Sequence, residues 1–156
     1  MIIRNAEEKD IEQILNLLSQ VLEIHASIRS DIFIPQTTKY TGSELSDILK
    51  NEKRRTFVAT DENGKVLGYA FCEIRDFTGM NNTVPHTEMY IDDLCVDSAS
   101  RGQNIGKTLF NRVKDEARAL GCYEITLNVW EGNDSARAFY DKIGLKPKET
   151  MMELIL

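Results

Sequence analysis

The sequence predicts an α+β domain, a mixed α/β arrangement with helices packed on one sheet, and three observations predict it. Apolar residues recur at helical spacing near the N-terminus and again after Asn104. An Asn-Gly pair joins two β-rich runs in the middle of the chain. From Glu88 onward a strand, a helix and another strand follow in the pattern of a right-handed β-α-β crossover. The first half should therefore be mostly antiparallel, and the crossover should make the fourth and fifth strands parallel neighbours. At 156 residues the chain is the length of one domain, and residues 1–156 carry no linker, repeat or low-complexity tract.

MIIRNA reads as a short first strand. Ile14, Leu15, Leu18, Val21 and Leu22 then mark the apolar stripe of a first helix over about residues 8 to 26. HASIRSDIFIPQ has no period and closes on Pro35, so it is a loop. Ser43 is a suitable N-cap for a second helix running through Ile48 and Leu49. RTFVAT and KVLGYAFCEI flank DENGK and form strands two and three of a hairpin. RDFTGMNNTVPH is a polar loop, and EMYIDDLCV is a fourth strand whose two mainly apolar faces place it inside the sheet. Ile105, Leu109, Phe110, Val113, Ala117 and Leu120 line the next helix, with Gly121 at its C-terminal cap. YEITLNVW is the fifth strand, NDSARAFYDKI a shorter helix closed by Gly144, and ETMMELIL a terminal strand.

The net charge of −6 argues against a nucleic-acid partner, because phosphate affinity rests on clustered Lys and Arg. Cys72, Cys95 and Cys122 form no CxxC pair and have only His25 and His86 as nitrogen ligands, so they read as reduced thiols with no metal. MIIRNAEEKD lacks the basic start and apolar core of a signal peptide, and no run of 18 apolar residues occurs. The expectation is a cytoplasmic protein without a membrane partner.

RGQNIGKTLF, at the start of the third helix, ends like the phosphate loop GxxxxGK followed by Ser or Thr, yet only three residues separate Gly102 from Gly106. Nor does a later strand end in the Asp that would hold magnesium. What remains is a strand, a short Gly-containing loop and a helix N-terminus, where unpaired amides and the positive end of the helix dipole attract an anion. Lys107 could add a cation; equally, the two glycines could serve only a tight turn.

Three blocks together resemble the GNAT superfamily of acyl-CoA N-acyltransferases. LCVDSASRGQNIGKTLF is similar to that family's strand-loop-helix signature, with Arg101 and Gly106 at its ends. NVWEGNDSARAFYDKIGLK is similar to its second signature, and the order of elements, with two helices between strands one and two, is the third match. One departure is Asn104, where the family has Gly; Asn is the residue after Gly that best accepts positive φ. The resemblance implies a GNAT-like, mostly antiparallel sheet flanked by helices, with strands four and five parallel and splayed. It implies acetyl-CoA as cosubstrate, its pyrophosphate on Arg101, Gly102, Gln103, Asn104, Ile105, Gly106, Lys107 and Thr108. Its pantetheine would lie between Leu94, Cys95 and Val96 on one side and Asn128, Asn133 and Ser135 on the other.

The implied reaction acetylates a primary amine, which has a pKa of about 10.4 and must lose a proton before attacking the thioester. Strand four offers Asp92 and Asp93, which should face opposite sides of a regular sheet. Parity with Leu94 and Val96, and analogy with the family, favour Asp92 as base or amine-binding group, with Glu88 next; ion pairing with Arg or Lys is the other reading. By resemblance Tyr140 protonates the departing thiolate and touches the cofactor, although it could be a core aromatic. Cys95 has no neighbouring base to activate it, so transfer should be direct. Trp130 and Phe71 read as core residues. His25, Arg29, Asp31 and Phe33 lie in the loop that borders the acceptor site in that family, with surface packing as the alternative. The acceptor is then an amine, on a small molecule such as a polyamine or aminoglycoside or on a protein. A noncatalytic acyl-CoA-binding regulatory module is the competing function. Terminal strands of the family support dimers, which leaves room for a homodimer.

Overall fold

In the computed structural model, which describes residues 1–156, the chain runs β1 (Ile2–Asn5), a 3-10 turn, α1 (Ile11–Ile28), α2 (Gly42–Lys50) and β2 (Arg54–Thr60). It continues through β3 (Val66–Asp76), β4 (Thr87–Val96), a second 3-10 turn, α3 (Ile105–Ala119), β5 (Glu124–Leu127) and α4 (Asp134–Lys142). The strands form one sheet in the order β1-β2-β3-β4-β5; only β4 and β5 are parallel, as the crossover predicted.

Two apolar layers hold helices to the faces of this sheet. On one face α1 buries Ile14, Leu17 and Leu18 against Val58, Tyr69, Phe71 and Cys95. On the other, α3 buries Leu109, Phe110, Val113 and Ala117 against Phe57, Ala59, Ala70, Cys72, Met89 and Ile91. The start of α1 is tied to β1 through buried Asp10, whose carboxylate accepts 2.7 and 2.8 Å bonds from Arg4 and one of 2.8 Å from the Glu7 amide. Burial opposes that charge, but Arg4 and the amide outweigh it and hold the Asp10 carboxyl below its usual range.

Several boundaries differ from expectation. The cap of α2 is Thr41, which forms a reciprocal box with Glu44, rather than Ser43. β5 stops at Leu127 instead of continuing to Trp130, because β4 no longer pairs with it beyond that residue. The predicted terminal strand is absent: residues 146–156 have no regular structure, and Met151, Met152, Leu154 and Ile155 are largely exposed. β-Prone composition makes a strand only when an edge is there to pair with it, and this tail pairs with none.

Candidate acetyl-transfer site

The site begins with an irregularity in β4. Its register with β3 shifts between Phe71 and Cys72, where Phe71 faces Asp93 and Cys72 faces Ile91. A bulge reverses the alternation of side chains. Met89 and Ile91 accordingly pack on the α3 side while Cys95, of the same parity, packs on the α1 side. Asp92 and Asp93 therefore do not face opposite sides. Asp92 accepts a 2.5 Å bond from the Tyr40 hydroxyl and Asp93 one of 2.7 Å from the Tyr69 hydroxyl. Both rings pack against Phe71 on the α1 face, Tyr40 edge-on at 5.9 Å and Tyr69 tilted at 4.6 Å. Parity with Leu94 and Val96, which pack toward α3, consequently gave a false guide to Asp92.

The two carboxyls have opposite tendencies. Asp92 also accepts a 2.8 Å ion pair from Lys39. Burial disfavours its charge, but Lys39 and Tyr40 prevail and hold it below the ordinary carboxylate range. No cation contacts Asp93; desolvation pushes it up to about 6, the Tyr69 bond and the more distant Lys39 oppose this only in part, and the proximity of Asp92 adds to it. Glu88, four residues before Asp92, is buried 3.6 Å from Arg75, whose guanidinium stacks over Tyr90 at 3.5 Å.

β4 and β5 pair only from Glu88↔Glu124 to Ile91↔Leu127. Past this last rung β4 keeps β3 on one side, through Val96↔Gly68, and has no strand on the other. The strands thus fork, leaving the backbone edge of Leu94, Cys95 and Val96 open to an extended ligand. Leu94 and Val96 are partly buried; Cys95 is buried, its Sγ lies 3.7 Å from the Leu17 carbonyl, and desolvation pushes the thiol up to about 12, as expected of an inert residue.

At the wide end of the fork lies the N-terminus of α3. Asn104 adopts φ 60° and ψ 12°, so it makes the left-handed turn that Gly makes elsewhere. Its side chain caps no amide, and Ile105, Gly106 and Lys107 at the head of the helix use their amides in no hydrogen bond of the chain. Arg101, Gly102, Gln103 and Lys107 are exposed around them, while the Thr108 hydroxyl is turned back onto the Asn104 carbonyl at 2.9 Å. Gly106 has a packing reason as well: a Cβ there would stand 3.2 Å from the Phe139 ring. A side chain at this position would force the Phe139 ring to shift, so the missing atom favours the close approach of α4 to α3.

That approach carries Tyr140, next to Phe139, to the fork. No protein group takes the Tyr140 hydroxyl, and burial, with Asp93 and Cys95 adding to it, pushes its pKa above the usual phenol value. It is a protonated phenol at neutral pH. The other residues expected on this side have local partners: Asn128 donates to the Tyr90 hydroxyl at 3.2 Å, Asn133 caps α4 by accepting from the Ala136 amide, and Ser135 is exposed in the first turn.

The α1–α2 loop, residues 29–41, borders the narrow end. Phe33 packs between His25, tilted at 5.2 Å, and Trp130, edge-on at 5.3 Å, which makes Trp130 a partly exposed member of this wall rather than a core residue. Burial, and then Lys39, lowers the His25 pKa and favours the neutral ring. Arg29 is engaged by Asp31 at 2.7 Å and by Glu153 of the tail at 2.6 Å. Lys39, Tyr40, Tyr69 and Glu153 had no sequence signal, since each enters through the bulge or through a contact distant in sequence. No group of three or more His, Cys, Asp or Glu side chains could hold a metal ion, and no helix is long and apolar enough to cross a membrane.

The family described as "Acetyltransferase (GNAT) family" matches residues 19–145. Among solved structures, a mutant of the BH1408 protein from Bacillus halodurans superimposes with TM-score 0.96 at 33% identity, covering 100% of this chain and 99% of that one. A glucosamine 6-phosphate N-acetyltransferase of Trypanosoma brucei brucei is 28% identical over 159 residues, 99% of this chain and 95% of that protein. An L-methionine sulfoximine/L-methionine sulfone acetyltransferase of Salmonella typhimurium is 26% identical over 145 residues, 92% of this chain and 79% of that protein.

Proposed function

The chain belongs to the GNAT acetyltransferase family and is an acetyl-CoA-dependent N-acetyltransferase; from that premise we propose that it transfers the acetyl group directly to a primary amine of a small molecule. The observation that carries the reading is the fork: pairing of β4 with β5 ends at Ile91↔Leu127, and the open β4 edge leads to the free amides of α3. The pyrophosphate lies on those amides, favoured by the helix dipole. The pantetheine arm follows Val96, Cys95 and Leu94 back toward Asp93 and Asp92, so the thioester arrives where the two strands separate. Arg101, Gln103 and Lys107 flank the phosphates, and Asn128, Asn133 and Ser135 line the side opposite β4.

At that point the bulge supplies two carboxylates with separate tasks. Asp92, kept ionised and already shaped around an ammonium, binds the incoming amine. Asp93, with its pKa near neutrality, accepts the amine proton directly or through water. Within this reading the base moves from Asp92 to Asp93, and Glu88, buried beside Arg75, is left as part of the acceptor wall. A backbone amide on the open edge of β4 steadies the carbonyl oxyanion, since the Cys95 amide faces Tyr69 of β3, and Tyr140 gives its proton to the departing thiolate. His25, Arg29 and Phe33, with Trp130, frame the acceptor entrance.

Two relatives named for glucosamine 6-phosphate and for methionine sulfoximine or sulfone support a small acceptor over a protein. The test measures coenzyme A thiol release from acetyl-CoA with glucosamine 6-phosphate, methionine sulfone, other α-amino acids and a polyamine. Release well above background with one of these, reduced at least about tenfold in Tyr140→Phe, is expected for loss of a general acid. Background release with every amine would end the proposal.

A further inference from the structure

One ammonium of the protein itself reaches the branch point of the fork. Lys39 leaves the α1–α2 loop with its side chain 43% exposed, yet its Nζ reaches 2.8 Å from Oδ1 of Asp92, a side chain only 14% exposed. The same Nζ lies 3.4 Å from the Asp92 carbonyl oxygen. Asp92 follows Ile91, the last β4 residue paired with β5, so Nζ stands at the branch point of the two strands. The other Asp92 oxygen is occupied by the Tyr40 hydroxyl. Four other lysines are tied to other places: Lys9 to Glu7, Lys50 to Glu8, Lys65 to Asp97 and Lys148 to Glu124.

We propose that Lys39 is a modification site of the enzyme's own making: with no acceptor present, its Nζ occupies the amine position and is acetylated in cis. The proposal rests on the transfer reaction above. The lysine first gives up one proton to a fork carboxylate or to solvent. Its nitrogen lone pair then forms a C–N bond to the thioester carbonyl as the C–S bond breaks, the thiolate takes a proton from Tyr140, and the second nitrogen proton passes through solvent to restore the Tyr140 phenol. The products are N-acetyl-lysine, free coenzyme A and one released proton. Acetylation removes the positive charge from Lys39, so its ion pair with Asp92 is lost and that carboxylate is freed for an external ammonium.

The test incubates the full chain with acetyl-CoA alone in an amine-free buffer and follows intact mass, peptide mass and thiol release. The expected result is a mass gain of one acetyl group, mapped to Lys39, matched by one equivalent of thiol, with a rate constant independent of protein concentration. Lys39→Arg should abolish the gain, and Tyr140→Phe should slow it at least about tenfold. An unmodified Lys39 would overturn the proposal, as would labelling spread equally over Lys9 and Lys50, a rate unchanged in Tyr140→Phe, or a rate proportional to protein concentration. Acetylation of an added amine with Lys39 unmodified would sink self-acetylation and leave the transferase reading standing; absence of thiol release with every amine would sink the latter.

Discussion

Asp92 and Asp93 are adjacent and chemically identical, yet their partners drive them apart. Asp92 has a cation and a phenol on it and stays ionised; Asp93 has a phenol and little solvent, and titrates near 6. An unfolded Asp ionises near 3.8 whereas folded Asp93 keeps its proton to about 6, so between these values the native state binds the extra proton. Stability must then fall as pH rises through that window and level off above it. Replacing the carboxyl with an amide removes this dependence. Asp93→Asn should therefore gain in melting temperature over the parent as pH goes from 4 to 7, approximately the span of the two pKa values, while losing acetyl transfer. A melting-temperature difference that is flat or shrinks with pH would show that Asp93 is not desolvated as described. Asn104 is a residue-scale case that could be read in advance: its short polar side chain tolerates positive φ, and the structure puts it at 60°. The states of Asp92 and Asp93 could not be read, because they depend on Lys39, Tyr40 and Tyr69, which strand alternation alone does not bring together.

At the scale of elements, apolar spacing located α1 and α3, the Asn-Gly turn located β2 and β3, and continuous apolar composition located β4 inside the sheet. The failures have a common origin. The early end of β5 and the absent terminal strand are matters of whether a neighbouring edge is available, and the bulge in β4 is a matter of its register with β3; a single strand's composition encodes neither. The β3–β4 pair shows how tightly the edge that is available is used. At Gly68 an added Cβ would stand 2.6 Å from the Cys95 carbonyl oxygen and 3.2 Å from a Leu109 methyl group. That oxygen is backbone and cannot turn aside, so Gly68→Ala must push β4 away from β3 just where the fork opens. Chemical denaturation should register a loss of about 1–3 kcal/mol, the usual cost of overpacking, together with weakened coenzyme A binding. Unchanged stability would mean that β4 is free to move at this point.

Across the whole molecule, the fold brings three distant stretches to one place. The crossover sets α3 at the wide end of the fork, the close approach of Phe139 to Gly106 brings Tyr140 beside it, and the α1–α2 loop lays Lys39 and Tyr40 across the narrow end. The first two were legible from the motif around Arg101 to Gly106 and from the resemblance of the segment from Asn128 to Lys146; the third depends on a loop without periodicity. In the proposed reading the fork and the head of α3 together hold acetyl-CoA, and amide hydrogen exchange with and without coenzyme A tests this most directly. Slowed exchange at residues 94–96 and 103–107, with the β1–β2 edge unchanged, is the expected result. Binding without slowed exchange at those two segments would place the cosubstrate elsewhere and contradict that reading.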